Sequence, residues 1–429
     1  MKGLIALLFV LFIAAGIPIS FGVGLTSLIG IFFLEHVSVT TVYMKMFNGL
    51  NSFILLAVPL FILCANLMNR GNISNKLIDF SVALVGHFRG GLALANVVVS
   101  MIFGGISGSS QADTAGIGKI LIPAMIEEGY DEETSVGITA ASSTLGSIIP
   151  PSILMVIYSG MASVSVGALF FCGIVPGILL GLAQMAVVMV IGKKRNFPKN
   201  PRVPFRDIMK LFRDAFPALL TPVIIIGGTV GGVFTATEAA AIASLYSLIV
   251  GMFIYRTIKL RDLWSILKET LELSSLSLFA VATATALGEL LSYYQVHMVA
   301  GAFFQSLSLE RIPFTLVLIA FFLFLGTFMD GGPAIILFTP ILLPSAVSAG
   351  LDPIYLGIIF VTTMAMGLVT PPYGICLMLA SKISHIPMER AFRGVLPYLG
   401  VSAAVLILMV LFPGLVMGIP KLLAPGLFL

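Results

Sequence analysis

Residues 104–118 read GGISGSSQADTAGIG. Within this run lie the hydroxyls of Ser107, Ser109 and Ser110, the amide of Gln111 and the carboxyl of Asp113, all oxygen-bearing groups. Oxygen donors without thiolate or imidazole suit a hard monovalent cation such as Na⁺ and offer nothing soft to a transition metal. A second polar break, LGSIIPPS at 145–152, follows. Its paired Pro150 and Pro151 remove two amide donors and clash with the preceding turn, so a helix there must part and leave backbone carbonyls free at Gly146 and Ser147. The chain then offers the same two features again. LGTFMDGGPA at 325–334 brings Gly326, Thr327, Asp330, Gly331 and Gly332, and MGLVTPPYG at 366–374 brings Gly367, Thr370 and Pro371.

What surrounds these runs is apolar. The 429 residues are 59% hydrophobic and 10% charged, with a mean hydropathy of +1.11. A soluble domain carries roughly 25% charged residues, so this composition excludes a soluble enzyme and implies a polytopic, all-helical membrane protein. The opening run Leu4–Leu34 is too long for one span of about 20 residues; Pro18 and Gly22 divide it into two tightly connected helices. A cleaved leader is the competing reading of residues 1–20, against which stand a single lysine and apolar sequence that resumes at once. Cys64, Cys172 and Cys376 lie far apart, and His36, His87, His297 and His385 are unclustered at or near expected loops, which gives no support to a metal centre or a Ser/His/Asp triad. The net charge of +4 sits in membrane-flanking loops and makes no nucleic-acid face.

Charge sets the expected topology. The stretch KKRNFPKNPRVPFRDIMKLFRD at 193–214 is rich in Lys and Arg and is therefore cytoplasmic by the cation rule, where it lies on lipid headgroups. Spans over about 216–233, 236–256 and 268–288 follow, then a helix along the outer interface within 293–311. The acidic turn EEGYDEE at 127–133, Arg70, Lys76 and Arg89 fall inside, as do Lys382, Arg390 and Arg393, with both termini outside.

The sequence matches itself at a displacement of 221 residues without a gap. Gly105 meets Gly326, Pro123 meets Pro344, Gly129 meets Gly350 and Asp131 meets Asp352; Pro150 and Pro151 meet Pro371 and Pro372. Phe171, Gly173 and Pro176 continue the match onto Phe392, Gly394 and Pro397. The first copy enters its polar run from inside and the second from outside, so the halves are inverted. Inverted repeats with interrupted helices mark secondary transporters whose sites lie near the bilayer midplane.

Each repeat then holds a re-entrant hairpin and a broken helix. Hairpin tips are expected at Ser107–Asp113 and Gly326–Pro333, and helix breaks at Gly146–Pro151 and Gly367–Pro372. Irregular backbone at that depth is tolerable where protein buries it or a wet cavity meets it. Small residues also serve plain helix packing in membranes, but four interruptions paired by symmetry favour a site. Asp113 and Asp330 are intramembrane acids, each costly at a helix centre by about 2.5–3.5 kcal/mol on insertion scales and functional candidates by default. Glu238 and Glu289 sit near span ends, where solvent explains them.

At these residues the chain resembles the large membrane subunit of tripartite ATP-independent periplasmic (TRAP) transporters, over essentially its whole length, and especially the subunit of sialic acid systems. The tip GGISGSSQAD, the turn PAMIEEGYDEE and the paired PP breaks carry the resemblance. It implies the elevator fold of the ion transporter superfamily, Na⁺-driven uptake with at least two Na⁺ sites, and no enzymatic activity. The partners it implies are a periplasmic binding protein that delivers an organic acid and a small four-helix membrane subunit, here a separate chain, in the bacterial inner membrane. By position, Ser107, Ser109 and Asp113 with Gly146–Pro150 belong to one Na⁺ site, joined by Ser110 and Ser147 in the oxygen cage. Gly326, Thr327, Gly331, Gly367 and Thr370, with Pro371, form the other. Ser109, Gln111, Asp330, Gly332 and Thr370 border the substrate. The expected division is 1–88 scaffold and arm, 89–165 hairpin and broken helix, 166–308 scaffold and arm, 309–385 second hairpin and broken helix, and 386–429 a C-terminal scaffold helix. A stand-alone Na⁺/dicarboxylate symporter and a channel or membrane scaffold are the alternatives. No arginine inside a span stands ready for a substrate carboxylate.

Overall fold

The structure, a computed structural model, describes residues 5–428 apart from 6, 10, 13–14, 35–36, 72, 297, 300 and 303–308. Among these the chain is helical throughout, without strands. His36 and His297 lie outside the described residues, as does much of the expected interfacial helix within 293–311.

The first half runs α1 (Ile19–Phe32), α2 (Thr40–Leu50), α3 (Ala57–Arg70), α4 (Ile73–Val85), α5 (Gly91–Ser107), α6 (Ser110–Glu127), α7 (Glu132–Ser143), α8 (Ile153–Ala162) and α9 (Val166–Lys194). The second half runs α10 (Phe205–Val230), α11 (Ala236–Ile249), α12 (Leu260–Tyr293), α13 (Arg311–Gly326), α14 (Gly331–Ser348), α15 (Pro353–Gly367), α16 (Ile375–Ser384), α17 (Met388–Leu411) and α18 (Gly414–Leu423). Six helical stretches among the described residues are long and apolar enough to cross a membrane, and the pair 40–50 and 54–70, bent by 67°, adds a seventh. The protein is therefore a multi-pass membrane protein.

Local chemistry explains where these helices start and stop. Pro18 precedes α1, as expected, whereas Gly22 lies inside it and divides nothing. The turn between α6 and α7 closes on Gly129, in the left-handed region at φ +93°, and Asp131 then caps α7 by accepting the Thr134 amide at 2.8 Å. Asp352 does the same for α15 through the Ile354 amide at 2.9 Å. The basic stretch is shorter as a loop than its charge suggests. Helix α10 begins at Phe205 and carries Arg206, Lys210 and Arg213, so only about 195–204 is irregular. Likewise α12 extends well beyond 268–288 at both ends.

Several helix boundaries in the two halves recur at a constant displacement. α6 and α14 begin and end 221 residues apart, and α7 and α15 begin 221 apart. Both double prolines, Pro150–Pro151 and Pro371–Pro372, are joined by cis peptide bonds. After them the displacement becomes 222: α8 and α16 start at Ile153 and Ile375, and their left-handed caps are Ser163 and His385. The gapless match is thus corrected by one residue. The added residue is accommodated next to Gly374, which sits at φ +37°, a conformation glycine adopts without steric cost. Phe171–Phe392, Gly173–Gly394 and Pro176–Pro397 accordingly fall one position out of step when counted from the starts of α9 and α17.

The halves interlock by exchange. α6 of the first hairpin packs on α16, the far arm of the second broken helix, and α14 of the second hairpin packs on α8. α17 lies along α7, and α9 touches α15. Gly137 and Gly394 permit the α7–α17 crossing, since a Cβ on Gly137 would run into the Gly394 backbone. The helices before the hairpins pair among themselves in the same manner, α11 with α3 and α12 with α1 and α2.

Candidate ion and substrate site

The first hairpin turns in two residues. Gly108, at φ +64°, ends α5, and Ser109, extended, caps α6 by accepting the Ala112 amide at 3.4 Å. The tip is seated on the first break. The Ile153 amide donates to the Gly108 carbonyl at 3.2 Å, and the Ser110 and Ser147 hydroxyls lie 2.7 Å apart. Ser110 also reaches the Thr144 carbonyl at 3.3 Å. A Cβ on Gly104 would stand 2.9 Å from the Gly146 Cα, so backbone meets backbone here. Ser152 closes the break by donating to the Ser147 carbonyl at 2.6 Å and capping α8 through the Met155 amide.

Asp113 lies in the first turn of α6 with no solvent exposure. Its Oδ1 accepts the Ser107 hydroxyl at 2.5 Å, while its Oδ2 has no hydrogen-bond partner. A Cβ on Gly146 would collide with that Oδ2 and lie 3.2 Å from the Ser109 carbonyl oxygen. The unpartnered Oδ2 and the Ser109 carbonyl, which also accepts the Asp113 amide at 3.1 Å, thus both lie beside Gly146. Acceptors do not bond one another; a cation or a donor is what such a pair takes.

The second tip repeats the plan with different atoms. α13 ends at Gly326, whose Cβ would stand 2.9 Å from the Gly367 Cα. The Tyr373 amide donates to the Thr327 carbonyl at 2.9 Å, as Ile153 does to Gly108. The Thr327 and Thr370 hydroxyls donate to their own helices, to the Phe324 carbonyl at 2.7 Å and the Met366 carbonyl at 2.9 Å, which leaves their lone pairs free to accept. Gly331 and Gly332 are buried at the start of α14; a Cβ on Gly331 would stand 2.8 Å from Leu154 of α8, whereas one on Gly332 would make ordinary contact with Ile157.

The tips meet. Gln111 Nε2 donates to Asp330 Oδ1 at 3.2 Å, joining residues 219 apart in sequence. The structure thus gathers Ser107, Ser109, Ser110, Asp113, Gly146, Ser147 and Pro150 in one unit. Gly326, Thr327, Gly367, Thr370 and Pro371 form another, with Gln111 and Asp330 between them.

Elsewhere the weaker candidates have ordinary roles. Glu238 accepts the Thr235 amide at 2.8 Å in a capping box, and Glu289 pairs with Lys45 at 3.0 Å. The three cysteines are free and buried, and among the described residues no cluster of His, Cys, Asp or Glu could hold a metal ion. At the polar end Asp131 pairs with Arg195. Burial raises the Asp131 carboxyl, but the Arg195 and Thr134 hydrogen bonds outweigh it and hold the group below the usual carboxylate range. Missed by the sequence reading were Gly104, the real partner of Gly146, and Ser152, whose position after a double proline was its only signal.

The family model of the DctM component of the tripartite ATP-independent periplasmic transporter matches residues 6–415. The chain belongs to this family. Among TRAP permeases it is 38% identical to the C4-dicarboxylate TRAP transporter large permease protein of Pseudomonas aeruginosa, over 93% of each chain. It is 36% identical to the sialic acid TRAP transporter large permease protein of Vibrio cholerae, over 95% of this chain and 96% of that one. In fold it resembles the YdaH transporter of Alcanivorax borkumensis, with a TM-score of 0.64 at 13% identity, over 87% of this chain and 88% of that one. As a TRAP large permease the chain is a transporter of organic acids and not an enzyme.

Proposed function

We propose that this chain is the ion- and substrate-carrying subunit of a Na⁺-coupled importer in the bacterial inner membrane. It works with a periplasmic binding protein and a small membrane subunit, and its hairpins and broken helices move as an elevator. One observation carries this reading: two tip-and-break units, one in each half of the chain, bring side-chain oxygens to each helix break, buried in the first and partly buried in the second. In the first, the Asp113 Oδ2 and the Ser109 carbonyl both lie beside Gly146. Na⁺ at that point satisfies both acceptors and neutralises the buried carboxylate. In the second, the Thr327 and Thr370 lone pairs offer a neutral oxygen set.

The coupling follows from the tips. Na⁺ at each break pulls its hairpin tip onto the break, and the tips carry Gln111 and Asp330 toward each other. A substrate that inserts between them exchanges the Gln111–Asp330 hydrogen bond for bonds to its own hydroxyl or amide groups, with Ser109, Gly332 and Thr370 at the edge. Its carboxylate is met by the amide dipoles of α6 and α14, whose N-termini lie at the tips. The re-entrant and inverted arrangement lets the same tips face either side in turn.

The substrate proposed from the sequence is sialic acid, beside C4-dicarboxylates, the cargo that a relative of equal similarity is named for. The test is uptake of labelled sialic acid and of C4-dicarboxylates into proteoliposomes, with and without a Na⁺ gradient and with and without the partner proteins. Uptake that ignores the Na⁺ gradient overturns the coupling. Uptake by this chain alone overturns the tripartite requirement.

A further inference from the structure

Among the buried polar groups away from the tips that have no hydrogen-bond partner are the Gln184 Oε1 on α9 and the Tyr398 hydroxyl on α17. Gln184 is 1% exposed and Tyr398 0%. Both line one small cavity together with Thr144, Met366 and Ser402. Thr144 opens the turn where α7 breaks, and Met366 immediately precedes Gly367 at the end of α15. The cavity therefore lies beside both helix breaks.

The chemistry of its walls selects the guest. Gln184 Nε2 is already used, donating to the Ala141 carbonyl at 3.2 Å, and the Thr144 hydroxyl donates to that same carbonyl at 2.6 Å. What remains for the cavity is an acceptor, Gln184 Oε1, and the hydroxyls of Tyr398 and Ser402. No carboxyl group lines it. Its volume is about 10 Å³, the room that one water molecule needs.

We propose that this cavity is a binding site for a single structural water, which accepts from Tyr398 and donates to Gln184. A cation fits the walls badly, since it has no lone pair for the phenolic proton and no counter-charge beside it. An apolar guest would leave both groups unpaired. The water ties α17 to α9 and, through Gln184, to the Ala141 carbonyl in the last turn of α7. The second break lies against the same spot through Met366. Both breaks are thus held at a fixed spacing by a solvent molecule that neither proposed Na⁺ unit contains.

The test is a pair of cryo-EM maps of the assembled transporter in NaCl and in choline chloride, at a resolution where other buried waters are visible, with a third map of Tyr398→Phe. The expected result is one peak within hydrogen-bond distance of Gln184 Oε1 and the Tyr398 oxygen in both salts, lost in Tyr398→Phe. A peak present only in NaCl identifies a cation and overturns the proposal, as does the absence of any peak. Should the variant not fold, the two wild-type maps decide alone.

Discussion

Replacing Asp113 by Asn tests the ion site most directly, because the geometry predicts what the new amide does. Asn is nearly isosteric. Its carbonyl keeps the bond from Ser107 that Oδ1 now receives. Its NH₂ group takes the place of Oδ2, which lies beside Gly146, and puts a donor where Na⁺ needs an acceptor. The substitution also removes the charge that a bound Na⁺ would neutralise. Contacts to a charged group are worth about 1.5–3 kcal/mol. The half-saturating Na⁺ concentration for uptake should rise about 10- to 100-fold, a factor of ten for each 1.4 kcal/mol. Binding linkage gives a second readout. At a Na⁺ concentration 100 times the wild-type Kd, one site stabilises the fold by about 2.7 kcal/mol, and a 100-fold weaker site by only about 0.4 kcal/mol. The Na⁺-dependent rise in melting temperature should therefore shrink by the share this unit contributes, while the protein without Na⁺ is as stable as wild type or more so. Unchanged half-saturation and an unchanged thermal shift at equal protein levels would refute the assignment. Parallel loss of protein and transport would assign Asp113 to folding instead.

Gln111→Leu removes the tip-to-tip bond to Asp330; substrate half-saturation should rise about tenfold, the effect of one neutral hydrogen bond, with Na⁺ half-saturation unmoved, and a parallel change in both would argue against a substrate role. Gly326→Ala places a methyl 2.9 Å from the Gly367 Cα, whereas Gly400→Ala in α17 meets nothing within 4 Å. Thermal unfolding should show the first destabilised by about 1–3 kcal/mol through overpacking and the second unchanged or stabilised by about 0.5–1 kcal/mol. Arg195→Ala removes a half-exposed partner of Asp131 and should cost no more than about 1 kcal/mol at neutral pH. Asp131 titrates below its ordinary value, so its contribution is complete above the unfolded carboxylate range and fades as pH falls through the folded value. The melting-temperature difference between Arg195→Ala and wild type should accordingly close in acid, and a constant difference down to that range would exclude the pair as its source.

What could be read from the sequence was what acts locally. Proline removes an amide wherever it stands, so Pro150–Pro151 and Pro371–Pro372 announced the breaks, and the observed helices part there. Glycine and aspartate at turns act equally locally, and Gly129 with Asp131 and Gly350 with Asp352, which the sequence offered only as matches between its halves, stand at the starts of α7 and α15. Charge was a poorer guide to helix ends. It marked 193–214 as polar but could not tell a loop from the solvated first turns of α10, because Arg206, Lys210 and Arg213 are good helix formers.

The residues that escaped are those whose meaning lies in a partner. Gly104 has no local signal that separates it from Gly105, yet the former meets Gly146 and the latter packs against Pro222. A repeat read by residue identity favoured Gly105, since that glycine matches Gly326. Contact with the facing break instead selects Gly104, one residue earlier on the helix. The same limit hid the pairing of Gln111 with Asp330 and the shared cavity of Gln184 and Tyr398, each of which joins the two halves of the chain. A duplicated sequence declares what each copy contains. How the copies bind an ion and a substrate depends on where they cross, and there the exchange of α6 onto α16 and α14 onto α8 brings together residues that no alignment of one half on the other would pair. Substitutions on the two sides of that crossing should therefore couple: Gln111→Leu and Asp330→Ala each abolish the one bond between the tips, so in thermal unfolding without substrate the double variant should be destabilised hardly more than the more damaging single one, and fully additive losses would refute the pairing.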